Sequence, residues 1–200
     1  NEFTGTAEDI YMSPDGRLLF LLHSNVIYKY KLTVPYDIST ASFVTSQDIS
    51  TLPYLNSTVG GPLTGVTVER FTFDRTGRTL FFASSTFKGI GSYTLSSAWG
   101  LPGSLRNLKI RSTIEYRILP NPGSIHSPIK GLGVAKDNSY LMYVREDPVE
   151  GGFDINKIKL AETTYPDVSE HEFVYQEDLN YSGIEHVYFS KNGNSIIVSD

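Results

Sequence analysis

Apolar and polar positions alternate with a period of two in four segments of this chain, and the four align without gaps around a turn. They read EDIYMSPDGRLLFLL from Glu8, ERFTFDRTGRTLFFA from Glu69, KGLGVAKDNSYLMYV from Lys130 and EHVYFSKNGNSIIVS from Glu185. Six positions before the turn residue stand Ile10, Phe71, Leu132 and Val187; four before it stand Met12, Phe73, Val134 and Phe189. That alternation predicts a strand with one buried face. After the turn come Leu19-Phe20-Leu21, Leu80-Phe81-Phe82, Leu141-Met142-Tyr143 and Ile196-Ile197-Val198. Such continuous apolar runs suit a central strand covered on both faces.

The turn residues are Gly16, Gly77, Asn138 and Gly193, at intervals of 61, 61 and 55 residues. Glycine supplies the positive φ that a tight hairpin needs, and asparagine is its usual substitute. A further alternating block follows each hairpin: IYKYKL from Ile27, IGSYTL from Ile90 and INKIKL from Ile155. A fourth, more variable strand begins at Phe43 and Val44 in the first repeat, spans Leu108 to Ile118 in the second and Phe173 to Tyr175 in the third. Four short antiparallel strands repeated in series predict an all-β fold of β-propeller blades, about three and a half of them. The blades fall at 4–63, 64–128 and 129–182, and 183–200 forms the first hairpin of a fourth. The whole of 1–200 is then one propeller-type region. Starting without Met and stopping inside a strand pattern, it is expected to be part of a longer chain whose further blades, or partner chains, complete a ring.

Composition agrees with this and narrows the function. With 13 Tyr and 11 Phe but one Trp and two Met, the chain is rich in residues that favour pleated, half-buried surfaces. Its net charge is −5 with Lys and Arg scattered, so it lacks the basic stripe that phosphate neutralisation requires, and no nucleic-acid partner is expected. There is no cysteine, which excludes disulfides, thiol catalysis and thiolate metal sites. The longest apolar run is Leu18 to Leu22, so no membrane insertion is expected.

Antiparallel order places the tight first turn of each blade on one face and the loop after the second strand, with the connection to the next blade, on the other. The long segments Gln47–Leu63, Leu119–Pro128 and Arg145–Asp154 fall mainly on that second face. Loops on a rigid scaffold are where binding concentrates, which makes Tyr54, Asn56, His126, Glu146 and Asp147 the candidate binding residues; solvated connectors are the plainer reading. G-x-S-x-G, H-E-x-x-H, P-loop and G-x-G-x-x-G motifs are absent, and no enzymatic activity or cofactor is expected. His23, His126, His171 and His186 lack metal-ligand spacing. Glu8, Glu69 and Glu185 recur eight positions before the turn, with Lys130 in the remaining repeat; a cation ring is conceivable, but pairing between blades is the preferred reading. The acidic stretch Glu146, Asp147, Glu150, Asp154 lacks the alternating ligands of a calcium loop. Asn56-Ser57-Thr58 and Asn180-Tyr181-Ser182 match the glycosylation tripeptide.

Ser13-Pro14-Asp15-Gly16, then Ile27 to Leu32, then Tyr36-Asp37-Ile38-Ser39-Thr40-Ala41 together resemble the propeller-type repeats of tailed-bacteriophage virion proteins, which also occur in bacterial surface proteins. In the second repeat Tyr93-Thr94-Leu95-Ser96 and Trp99 match, with Gly100 in place of the Asp. The third carries Tyr165-Pro166-Asp167-Val168-Ser169, shifted by an insertion. The resemblance implies a non-enzymatic virion component, such as a tail fibre or tail-tip protein, in contact with other virion chains and with a host-surface glycan or protein. A bacterial surface or periplasmic scaffold is the alternative, and a propeller enzyme of lactonase or lyase type a third reading. It further implies that Tyr36 and Trp99 pack blades and that Asp37 caps a turn, none of them catalytic.

Overall fold

In the computed structural model, hairpins form where the turn glycines predict them. The structure describes residues 3–51, 53–54, 61–62, 67–84, 89–101, 108–111, 129–135, 137–147, 152–160, 172–179, 186–189 and 196–199. Blade 1 is β1 (Asp9–Met12), β2 (Leu18–His23), β3 (Val26–Leu32) and β4 (Ala41–Asp48). After a two-residue ladder of β5 (Pro53–Tyr54) and β6 (Gly61–Pro62), blade 2 contains β7 (Arg70–Phe73), β8 (Thr79–Ser84), β9 (Gly89–Thr94) and β10 (Leu108–Arg111). Blade 3 is β11 (Ile129–Val134), β12 (Tyr140–Asp147), β13 (Gly152–Lys159) and β14 (Glu172–Leu179), followed by the hairpin β15 (His186–Phe189) and β16 (Ile196–Ser199). Each blade is an antiparallel meander with its strands in chain order. This is the β-propeller architecture: three blades and the opening hairpin of another.

The first turn of every complete blade is built alike. The amide of residue 16, 77 or 138 donates to the carbonyl three residues earlier, Ser13, Asp74 or Ala135. Gly16 (φ 69°), Gly77 (φ 66°) and Asn138 (φ 62°) then take the left-handed conformation that returns the chain. Gly193 lies outside the described residues. The outer strand carries a second repeated irregularity, because the β3–β4 register slips at Lys29/Tyr30 and the β13–β14 register at the equivalent Lys157/Ile158. The extra residue in blade 1 is Val44, a bulge on an edge strand exposed at 48%.

The inner strands β1, β7, β11 and β15 pack in that order, and the core lies between blades. Tyr11, Phe20, Leu22 and Ile27 of blade 1 meet Phe71, Phe73, Leu80, Phe82 and Tyr93 of blade 2. The opposite face of blade 2, with Phe81, Ala83 and Ile90, meets Leu132, Leu141, Tyr143 and Ile158 of blade 3. Blade 3 in turn packs Val144 and Phe153 on Val187 of the hairpin. Consequently β8, with a blade on either side, buries all six of its residues. In β2, at the end of the stack, Leu18, Leu21 and His23 remain half-buried.

Two expectations are corrected. Glu146 and Asp147 do not stand in a loop: β12 runs through them, pairing Glu146 with Phe153 and Asp147 with Gly152. Ladder hydrogen bonds are made by backbone amides and carbonyls, so a pair of charged residues does not by itself end a strand. Tyr54 likewise pairs with Gly61 in the short β5–β6 ladder. Asn56, His126, Tyr165 and Asp167 lie outside the described residues, as do the Leu119–Pro128 segment and Glu185.

Candidate functional site

A cleft of about 300 Å³ opens between the four inner strands, bordered by Tyr11, Phe73, Arg75, Val134, Tyr36 and Tyr188 among others. Residues of all three blades and of the last hairpin therefore reach it, as the side-by-side stacking of the inner strands requires. Tyr11 stacks on Trp99 (5.9 Å between ring centroids, 27° between planes) and contacts Phe73 at 5.1 Å. Burial, reinforced by the charge of Asp74, pushes its phenol above the ordinary range.

Asp9, at one end of the cleft, and the adjoining Arg70 are bound to backbone. Asp9 is 7% exposed, and its Oδ2 accepts from Phe71 N at 2.8 Å while Oδ1 accepts from Ile10 N at 2.9 Å. Burial raises its carboxyl to about 6, although the Phe71 hydrogen bond and the Arg70 charge both pull the other way. The Arg70 guanidinium donates to three carbonyls on three inner strands or their approaches: Glu8 (3.1 Å), Glu69 (2.6 Å) and Lys130 (3.0 Å). These two residues seam blades 1, 2 and 3 together. The recurring glutamates take different partners: Glu69 Oε2 accepts from Ile129 N of blade 3 at 3.3 Å, and Glu8 Oε1 accepts from Ser24 N within its own blade at 3.1 Å.

At the other end stand the turns and the residues that cover them. Tyr36 (φ 65°) lies over Gly16, its amide donating to Gly16 O at 2.8 Å and its hydroxyl to Pro14 O at 2.6 Å. Trp99 (φ 60°) repeats this over Gly77, with N–H to Gly77 O at 2.7 Å. A Cβ on either glycine would fall inside the ring, 2.6 Å from Tyr36 Cδ2 or 2.2 Å from Trp99 Cδ2. Trp99 also packs on Tyr11 and Phe73, so it covers its turn and joins two blades. Tyr36 is 57% exposed and, among the described residues, covers the turn of its own blade. Lys29 reaches across to donate to Trp99 O at 2.8 Å. Asp37 accepts from Ser39 N at 3.0 Å and Ser39 Oγ at 2.6 Å, capping a single turn of 3-10 helix at Ile38–Thr40.

Sequence reasoning missed a polar clasp inside each turn. In blade 1, Ser13 Oγ donates to Asp15 Oδ1 at 2.6 Å and accepts from Leu18 N at 2.9 Å. In blade 2 the roles are exchanged: Asp74 takes the first position, accepts from Arg78 N and Thr79 N at 2.7 and 2.8 Å, and receives the Thr76 hydroxyl. Blade 3 uses Asp137, which accepts from the amide and hydroxyl of Ser139. These hydroxyl contacts hold Asp15 and Asp137 below the usual carboxylate range. The signal was present as a hydroxyl and a carboxylate two residues apart. Among the described residues no three His, Asp or Glu side chains converge as a metal site, and no helix is long and apolar enough to cross a membrane.

No family model and no curated protein matches this chain. Solved structures do resemble it in shape. A candidate 6-phosphogluconolactonase from Bacteroides fragilis matches over 94% of this chain and 46% of its own, at 14% identity and a TM-score of 0.53. One from Bacteroides uniformis matches over 95% and 46%, at 12% identity and 0.50. A protein of unknown function from Desulfotomaculum acetoxidans matches over 100% and 50%, at 11% identity and 0.50. At such identities the likeness speaks for the propeller fold, and this chain spans about half the length of these structures.

Proposed function

We propose that this chain is a non-enzymatic propeller scaffold, a structural or binding component of a tailed-phage virion that holds other chains or touches a host surface. The observation that carries the scaffold reading is the use made of Asp9 and Arg70. The carboxylate of Asp9, which borders the cleft, and the nearby Arg70 guanidinium are both engaged with backbone groups of adjacent blades, the use expected of blade-joining side chains. The virion setting rests on the resemblance of the Ser13–Gly16, Ile27–Leu32 and Tyr36–Ala41 motifs to phage repeats. Its partners are then further propeller blades or other virion chains, with a host glycan or protein as the outward ligand. A bacterial surface or periplasmic scaffold is the alternative location for the same activity.

Mass spectrometry of purified phage particles from the source culture tests this. The chain is expected at a small copy number compatible with particle symmetry. Its absence from particles and presence in the cell envelope overturns the virion setting in favour of the bacterial scaffold. A lactonase reading is favoured by the likeness to two candidate 6-phosphogluconolactonases and by a cleft bordered by Tyr11 and Arg75. Hydrolysis of 6-phosphogluconolactone by the purified protein above the spontaneous rate, abolished by Arg75→Met, would establish it and overturn the non-enzymatic one.

A further inference from the structure

Glu8 recurs in the repeat but is used differently from its equivalent. Glu69 receives an amide of the next blade, Ile129 N, whereas Glu8 is placed at the turn between β2 and β3. That turn is a two-residue loop: His23 pairs with Val26, and Ser24 (φ 48°) and Asn25 (φ 67°) between them are both left-handed. Asn25 fixes it from behind, its backbone oxygen accepting from Ile49 N at 2.8 Å and its Oδ1 from Val68 N at 2.7 Å. Ser24 stands exposed at the tip. Its Oγ lies 3.4 Å from His23 Nε2, and His23 Nδ1 lies 3.8 Å from Glu8 Oε1. That Nδ1 is shielded from solvent and makes no hydrogen bond among the described residues. Phe3 packs on the imidazole at 5.4 Å and 69°. Gly5 leaves the approach to the ring open, since a Cβ there would stand 3.1 Å from Nε2.

We propose that Ser24 is an activated hydroxyl that accepts an acyl group from an activated donor, a thioester or an aryl ester. A carboxylate beside Nδ1 favours the tautomer with its proton there, which leaves Nε2 to accept from Ser24 Oγ. Hydroxyl, imidazole and carboxylate in that order are what makes a serine nucleophilic. In the transfer, Oγ bonds to the donor's carbonyl carbon, the hydroxyl proton passes to His23 Nε2, and the bond from that carbon to the thiolate or phenolate breaks. The leaving group then takes the proton from Nε2, so His23 ends neutral and Ser24 carries the ester. While the imidazole holds that proton it faces the Glu8 carboxylate. The donor class follows from the serine's own amide, which in a serine nucleophile supports the oxyanion. Here it donates to Glu8 Oε1 at 3.1 Å. One missing oxyanion donor slows acyl transfer by about 10²–10³-fold, so only good leaving groups react and the alkyl ester they leave on Ser24 persists. Ser24 is therefore an attachment point and not a hydrolase, in keeping with a scaffold. This chemistry depends on neither the virion setting nor the cleft, so either can fail alone.

The test treats the intact protein with p-nitrophenyl acetate and follows p-nitrophenolate release, intact mass and the acetylated peptide. A single stoichiometric burst that leaves an acetyl group on Ser24 is expected. Ser24→Gly, which suits the left-handed φ while removing the hydroxyl, should abolish the burst. His23→Ala should slow it about 100-fold, with added imidazole restoring part of the rate. Should His23→Ala give no folded protein, His23→Gln is measured in its place. Glu8 is a positioning residue, and Glu8→Gln keeps an oxygen for Ser24 N while removing the charge. It should slow the burst about fivefold at unchanged Tm, the worth of one charge at this distance in water. Acetyl groups on lysines or tyrosines alone, or a burst that survives Ser24→Gly, overturn the proposal. Steady release without accumulation of acetylated Ser24 overturns the attachment point in favour of a hydrolase.

Discussion

Trp99 closes over Gly77 so tightly that no side chain can stand between them: a Cβ at residue 77 would lie 2.2 Å from Cδ2 and 2.4 Å from Cε2 of the indole. The glycine is required twice, once by its φ of 66° and once by the ring. Gly77→Ala should therefore cost about 3 kcal/mol, combining left-handed strain with overpacking. In a Trp99→Ala background the same substitution should cost only the backbone part, about 1 kcal/mol. Urea denaturation of the four proteins in that cycle measures the difference. Purely additive effects would show that the ring and the glycine are independent.

Arg70 should be the most costly single polar residue to remove. Arg70→Met keeps most of the stem but leaves the carbonyls of Glu8, Glu69 and Lys130 without this donor. A loss of about 2–4 kcal/mol is expected, since buried acceptors left short of partners bear their desolvation cost. Hydrogen exchange should rise at Phe71 and along β11, where three blades meet. A uniform rise across the whole chain would count against a local seam.

Asp9 predicts an unusual pH dependence. Its folded carboxyl is raised to about 6 against an ordinary value of 3.8, so the native state holds the proton more firmly than the unfolded chain does. The associated stability is complete below the ordinary value and is lost as pH rises through about 6. Between pH 4 and 7 the free energy of unfolding should fall by roughly 2–3 kcal/mol. Asp15 and Asp137 are held low and act in the opposite direction: their stabilisation is present above the ordinary carboxylate range and is lost only in stronger acid. Denaturant titrations at several pH values give the curve. Asp9→Asn should flatten it between pH 4 and 7.

Gly131→Ala should loosen the last hairpin. The added Cβ would meet Val187 Cβ and Val187 O, each at 2.6 Å, and backbone cannot step aside as a side chain end can. Faster hydrogen exchange in 186–199 with little change in blade 1 is the expected result. Protection unchanged in the hairpin would mean that β11 and β15 approach less closely than described.

Much of this was legible because the repeat reports the same physical need several times. Ile10, Phe71 and Leu132 announce one column, and Gly16, Gly77 and Asn138 announce one turn. A single strand of four residues such as β7 would not have been convincing alone. What escaped the sequence were relations between segments. Nothing local shows that Tyr36 lies over Gly16, twenty residues earlier, or that the Arg70 side chain reaches Lys130. The end of β12 was misread for a different reason, since ladder hydrogen bonds are indifferent to the charge of Glu146 and Asp147. The candidate loop residues Asn56 and His126 fall outside the described segments.

The exchanged clasp of the first two turns, Ser13 with Asp15 and Asp74 with Thr76, also constrains how one blade can turn into another. Converting one arrangement to the other takes two substitutions. Passing through two carboxylates sets like charges against each other in the turn, whereas two hydroxyls in sequence cost one charged contact and can still donate and accept. Descent of one repeat from another therefore has an uphill and a downhill order of mutation. A library crossing Ser, Thr and Asp at positions 13 and 15 should recover that order as an asymmetry in which single mutants survive.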